Sequence, residues 1–453
     1  MSNLFDEFDS ISAAQWKQKI QVDLKGADYN QTLITATQEG IDITPFYHRE
    51  TYGNTTPIAT KTTNWKVSQR IVVTNADEAN TNIKDVLKRG AESIILVISN
   101  EEISIETILK DIDFQDVPIH IEMEFLTANY VKNISAFAKA HSATITIGVD
   151  IIGNLASTGN WFENLAKDHE ELEQILTQNA FESSLTIHID TYQNAGATMV
   201  QQLAYALSHA NEYLNHFGSK ITNKITFNVT VGGHYFFEIA KLRALRHLWS
   251  ILAKEYGVQE DCIIIASPSK RNKTLYDYNV NMLRTTTECM SAVLGGADFV
   301  YNLPYDALYH KENEFGDRIA RNQLRILKDE SYFDKTNNPT EGAYYIENIT
   351  NQLAEKALTL FKDIEANGGF LKQLKEGTIF RKIKESAAKE QALFDEGKEI
   401  LLGTNKYPNL EDRMKHDLEL DPFATTEVKK VLVIPIKLRR LATKLEKERL
   451  KKE

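Results

Sequence analysis

Cysteine is nearly missing from this chain: Cys262 and Cys289 are the two in 453 residues. They form no CxxC pair, which argues against a disulfide framework or a zinc site and fits a reducing, cytoplasmic setting. Long apolar runs are missing too. SIILVI and VLVIPI fall far short of the roughly 20 residues that cross a bilayer, so no membrane segment is expected. The N-terminus, MSNLFDEFDSI, is acidic where a signal or transit peptide is basic. Nor is there an excess of positive charge. The formal charge of −11 leaves no general basic surface, so nucleic acid is not an expected partner, and an acidic ligand needs a locally positive site. What remains is globular: 42% apolar and 25% charged residues, with little room for extensive disorder.

Ser12 and Gln15 make a capping-box pattern, after which Trp16, Ile20 and Leu24 recur at helical spacing and Gly26 offers a left-handed stop. Residues 28–64 keep no period and are expected to form an extended arm and loop. From Trp65 a rhythm begins. Strands are expected near Val67 to Val73, Ser93 to Ile98, Pro118 to Met123, Thr144 to Val149, Leu185 to Asp190, Ile225 to Val231, Cys262 to Ala266 and Asp298 to Tyr301. Amphipathic helices separate most of them; Val200, Leu203, Ala204 and Leu207 stripe one, and Ile239, Leu242, Leu245, Trp249 and Leu252 another. Eight strand–helix units close naturally into a (β/α)₈ TIM barrel spanning 65–304, with an N-terminal arm (1–64) and a C-terminal helical extension (305–453). A doubly wound open sheet is the alternative.

The stretch LTIHIDTYQNAGA carries the functional question. Thr186, His188 and Asp190 alternate with Leu185, Ile187 and Ile189. The same alternation sets His120 and Glu122 against isoleucines, Thr144 and Thr146 against isoleucines, and Thr226, Asn228 and Thr230 against Ile225, Phe227 and Val229. Helices cover the outside of a barrel, so these polar side chains are expected to line its axis. Burying unpaired polar groups costs on the order of 1 to 3 kcal/mol each. Mutual hydrogen bonds, water or a threaded polar ligand must therefore satisfy them.

Other constellations are weaker. His234 with Glu238, and His209 with Glu212, have helical spacing compatible with metal ligation but lack further ligands, so no metal is expected. Gly232-Gly233 after the sixth strand suits an anion at a helix N-terminus, or simply a βα turn. LRRLATKLEKERLKKE is expected to be one basic amphipathic helix with Leu438, Leu441 and Leu445 on a shared face. Trp16, Phe46, Tyr47 and Tyr52 in the arm are candidate interface anchors.

Several blocks together resemble the methylmalonyl-CoA mutase family: WKQKIQVDLKGAD near the start, NAGATMVQQLAYALSHANEYL after the fifth strand, FFEIAKLRALRHLWSILAKEYG after the sixth, RTTTECMSAVLGGADFVYNLPYDALY into the eighth, then RIARNQLRILKDES and NPTEGAYYIENITNQLAEKAL. The resemblance implies a barrel through which the pantetheine arm of CoA passes, commonly followed by a cobalamin-binding domain. It also exposes departures. Where catalytic chains carry Arg-Pro-Trp-Thr-Ile-Arg-Gln-Tyr, this one reads Thr63-Asn64-Trp65-Lys66-Val67-Ser68-Gln69-Arg70, and both arginines of the motif are replaced. Lys66 offers only a flexible point charge in place of a bidentate fork.

At the fifth strand the family's Ser-Gly-Tyr-His-x-x-Glu-Ala-Gly-Ala places its histidine on Thr191, or on Gln193 with a two-residue gap. Neither supplies an imidazole, and His188 is expected to be a hydrogen-bonded lining residue. The cobalt-ligating Asp-x-His-x-x-Gly triplet does not occur. The resemblance therefore points to the small, non-catalytic subunit of a heterodimeric mutase: no catalytic, cofactor-binding or metal residue of its own, adenosylcobalamin bound by a large catalytic partner subunit, and the arm as the contact. Two alternatives remain: an active acyl-CoA mutase barrel served by a separately encoded cobalamin-binding chain, and a non-catalytic acyl-CoA binder.

Overall fold

The computed structural model describes residues 7–51, 58, 60, 62–424 and 430–453. Eight parallel strands form its centre: β1 (Lys66–Val73), β2 (Ser93–Ile98), β3 (Ile119–Met123), β4 (Ile145–Gly148), β5 (Ser183–His188), β6 (Lys224–Val231), β7 (Cys262–Pro268) and β8 (Phe299–Tyr301). Each pairs with the next, and β8 pairs with both β7 and β1, aligning Phe299 with Ile265 and with Lys66. The ring is closed, which removes the open-sheet alternative. Strand ends lie within two residues of expectation because the period-2 alternation fixes which residues can bury their outward face.

That outward face is apolar. Ile71, Leu96, Ile121, Ile147, Ile187, Phe227, Ile264 and Val300 join the surrounding helices in one continuous core that runs from Ile41 to Ile436. The C-terminal extension shares this core: helix Tyr344–Ala366 packs on helices Met199–Phe217 and Tyr235–Tyr256, with Ile349, Leu353 and Ala357 buried. Charged residues inside this shell are paired, Arg243 with Glu347 at 2.7 Å and Arg246 with Asp298 at 2.6 Å. Pairing is what makes a buried charge tolerable.

In the arm, Ser12 and Gln15 form the expected capping box on helix Ala13–Asp23, and Gly26 adopts φ +95° after it. The helix buries none of its residues. Glu39 instead ties the arm to the body, its carboxylate accepting from the Met199 and Val200 N–H groups at 2.7 and 2.9 Å. An anion at this half-buried pair of N-terminal donors complements the helix dipole.

The C-terminal end differs from expectation. Only Thr443–Leu450 is helical, while 430–441 is an extended strap. Its N–H groups bond the barrel rather than the turn before them: Leu432 and Val433 to Gly159 O, Ile436 to Ala156 O, Arg439 to Asn194 O and Leu441 to Arg271 O. Leu441 is buried, Leu438 exposed and Leu445 half-buried, so the three leucines do not share one packed face. No helix is long and apolar enough to cross a membrane among the described residues.

Candidate functional site

A cleft of about 420 Å³ opens at the C-terminal mouth of the barrel. Arg70, Val97, Glu122 and Gly148 reach it from β1 to β4, and His188 and Thr191 from the end of β5. Gly148 is required there: a Cβ at this position would stand 2.9 Å from His120 Nε2 and 3.1 Å from Glu122 Cγ. The polar groups then interlock. Asn228 donates to Glu122 Oε1 at 3.1 Å, His188 Nδ1 lies 3.2 Å from Asp190 Oδ1, and His120 Nδ1 lies 2.6 Å from Thr146 Oγ1.

The two histidines are held in opposite states. Burial pulls His188 down, but the Asp190 hydrogen bond and the charges of Asp190, Glu122 and Asp150 outweigh it and raise the imidazole to about 10. It is an imidazolium at neutral pH. His120 lacks such a partner; burial lowers it to about 4 against a weaker pull from Glu122, and it stays neutral. Desolvation wins where no carboxylate makes a direct hydrogen bond.

Beneath the cleft the axis is shut. Ser68 and Ser93 bond each other at 2.6 Å. Ile95, Ile263 and Ile265 form a separate apolar cluster with Phe299 and Tyr301, so the polar lining of β3–β6 faces an apolar lining from β2, β7 and β8. Thr186 and Thr226 are 0% exposed and Ile95 1%, which leaves no passage for a water-sized sphere at their level. His120 Nε2, Thr186 Oγ1, Thr226 Oγ1 and Asn228 Oδ1 have no hydrogen-bond partner. Mutual bonding thus satisfies part of the lining and not all of it.

Several expected positions shift. Thr144 precedes β4 and is exposed, because the ladder begins one residue later, where Ile119 and Ile145 pair. Asp190 opens helix Asp190–Ala195 rather than ending the strand; β5 stops at His188, and the turn brings the Asp190 carboxylate back onto that ring. Thr230 is buried, 3.4 Å from the Asn194 amide. Of the two places for the family's histidine, Thr191 lines the cleft, while Gln193 is spent on Ser269 at 2.9 Å. The residue missed by the motif comparison is Arg70. It replaces the tyrosine that ends the family's motif and restores a guanidinium to the mouth; its place in the inward set Ser68, Arg70, Val72 was the available signal.

The other constellations serve the fold. His209, fully buried, bonds Asp150 Oδ1 at 2.8 Å and Tyr192 at 2.9 Å, while Glu212 accepts from the Leu371 N–H at 2.8 Å. Asp150 also accepts from Tyr213, Gly153 N and His188 N, and although burial alone would raise it, the charges and hydrogen bonds of His209 and His188 hold it at about 2. Glu238 accepts from Gly232 N at 2.7 Å and pairs with Lys241 at 2.5 Å. The diglycine turn therefore already holds a carboxylate of its own chain. Tyr52 lies outside the described residues.

With this geometry, the comparisons with known proteins take on meaning. The family model described as methylmalonyl-CoA mutase matches residues 97–451. The chain belongs to the methylmalonyl-CoA mutase family. It is 34% identical to the methylmalonyl-CoA mutase small subunit of Porphyromonas gingivalis (strain ATCC BAA-308 / W83), over 90% of this chain and 71% of that one. It is 27% identical to the small subunit from Propionibacterium freudenreichii subsp. shermanii, over 95% of this chain and 73% of that one. The Porphyromonas gingivalis large subunit is 31% identical over 53% of this chain, which spans 35% of that mutase subunit's length. The likeness to small subunits thus extends along nearly the whole chain, and the likeness to the large subunit over about half of it.

Proposed function

We propose that this chain is the small, non-catalytic subunit of a heterodimeric, adenosylcobalamin-dependent mutase whose large subunit binds the cofactor and interconverts methylmalonyl-CoA and succinyl-CoA. The observation that carries this reading is the shut axis. A threaded pantetheine arm needs a continuous passage, and Thr186, Thr226 and Ile95 at 0 to 1% exposure offer none. The same observation weighs against the acyl-CoA binder. The chain's own residues also make a poor seat for adenosylcobalamin: Thr191 or Gln193 stands where the family has its histidine, and the strap occupies backbone acceptors after β4, β5 and β7.

The arm supports a partner role. Trp16 stacks on Phe46 at 4.7 Å, and Tyr47 packs on Tyr345 of the body at 5.0 Å. The first contact holds the arm's own shape, and the second docks the arm on the body. Phe8 and Ile11, just before the first helix, are 74% and 63% exposed, and Val22 on it is 67% exposed, apolar surface that burial against a second subunit would stabilise at roughly 25 cal/mol per Å². Arg70 and His188 at the mouth favour the other reading, an active barrel borrowing a cobalamin-binding chain. Against it, His188 is already protonated and engaged with Asp190.

Sedimentation of the purified chain with its large subunit tests the proposal. One-to-one association is expected, with Ile11→Asp plus Val22→Asp weakening it at least about tenfold. Two components that sediment independently at micromolar concentration contradict it.

A further inference from the structure

Arg70 is an unusual feature of the mouth. It projects from the inward face of β1 into the cleft, and its side chain makes no hydrogen bond or ion pair among the described residues. The carboxylates that face it are engaged elsewhere: Glu122 by Asn228 and Asp190 by His188. Lys270, after β7, is a second basic group nearby, lowered first by burial and then by the charge of Arg70. A guanidinium without a partner in a recess is a bidentate receptor for an oxyanion.

We propose that the cleft binds a small organic monocarboxylate with an apolar body, its carboxylate held by Arg70. The chemical class follows from the walls. Val97, Met123, Phe125, Leu126 and Phe162 line the cleft, so the body of the ligand is apolar or aromatic. Glu122, Glu124 and Asp150 line it as well, and a dianion such as phosphate meets more repulsion from them than a single carboxylate does. The size follows from the volume: 420 Å³ lies within the usual range for small-molecule sites. This site goes beyond the partner role and does not depend on it, since assembly with a large subunit is measured separately.

The test titrates benzoate into the full chain by calorimetry and by NMR of the histidine rings, with inorganic phosphate as the comparison. The expected result is saturable benzoate binding, a shift of the His188 ring and none of exposed His416, and phosphate at least about tenfold weaker. Arg70→Gln loses about tenfold or more in benzoate affinity, and Arg70→Lys falls between the two. Leu126→Trp, which fills the cleft and leaves the guanidinium in place, also abolishes binding and covers the case in which Arg70→Gln fails to fold. The proposal is overturned by no binding to the unmodified chain at millimolar benzoate, by equal binding of phosphate, or by benzoate affinity that survives either Arg70→Gln or Leu126→Trp.

Discussion

At the scale of single residues, the mouth is governed by which polar group obtained a charged partner. His188 has Asp190 within 3.2 Å and is raised to about 10; His120 has a hydroxyl and is lowered to about 4. The stability consequences have opposite signs. Because the folded value of His188 lies above the unfolded value near 6.5, its contribution is complete below pH 6.5 and is lost as pH rises toward 10. His120 and Asp150 lie below their unfolded values, so their contributions are present above those values. They are lost as pH falls, between 6.5 and 4 for His120 and between 4 and 2 for Asp150. We expect urea unfolding at a series of pH values to show stability declining between about pH 7 and 9, and His188→Gln to flatten that slope. An unchanged slope in the variant contradicts the assignment. The identity of the lining residues was legible from alternation alone. Their charge states were not, since Asp190 reaches His188 only because the chain turns into a helix at that point.

At the scale of elements, the strands were legible and the strap was not. Strand residues obey a rule that one chain segment displays by itself: apolar outward, something else inward. The strap's conformation depends on acceptors supplied by distant loops, Gly159, Asn194 and Arg271 among them, so the leucine spacing near Leu438 suggested a helix that long-range bonding replaced. Gly159 is the key to this docking. It has φ +90°, and a Cβ there would stand 2.7 Å from Val431 Cγ1 and 2.8 Å from Val433 O. Gly159→Ala should therefore cost roughly 1 to 3 kcal/mol of local stability. Hydrogen exchange checks this directly: the amides of Leu432, Val433 and Ile436 should exchange faster in the variant while those of β4 keep their protection. Equal strap protection in both proteins would show that the strap is held by something else. The same reasoning separates the two halves of the arm. Glu39 docks on a helix terminus and fixes the second half, while the first helix has its cap but no buried side chain.

At the scale of the whole molecule, the barrel is closed and its axis is packed beneath the mouth. Half of the axis carries isoleucine and aromatic side chains, the other half carries hydrogen-bonded polar ones, and the polar layer opens to solvent only at the C-terminal mouth. The closure was not legible in the sequence, because β3 to β6 display their polar lining as alternation, whereas the apolar inward residues of β2 and β7 are hidden inside continuous runs such as SIILVI. The departures at Thr191 and Ser68 were visible at once; the compensating Arg70 emerged only when β1 was placed in register with β2, Arg70 beside Ile95. If the chemistry belongs to the partner chain, isomerase turnover of methylmalonyl-CoA with adenosylcobalamin is absent from this chain alone and from this chain with a free cobalamin-binding chain, and appears only when the large subunit is added. Turnover from this chain with the free cobalamin-binding chain would contradict that division of labour.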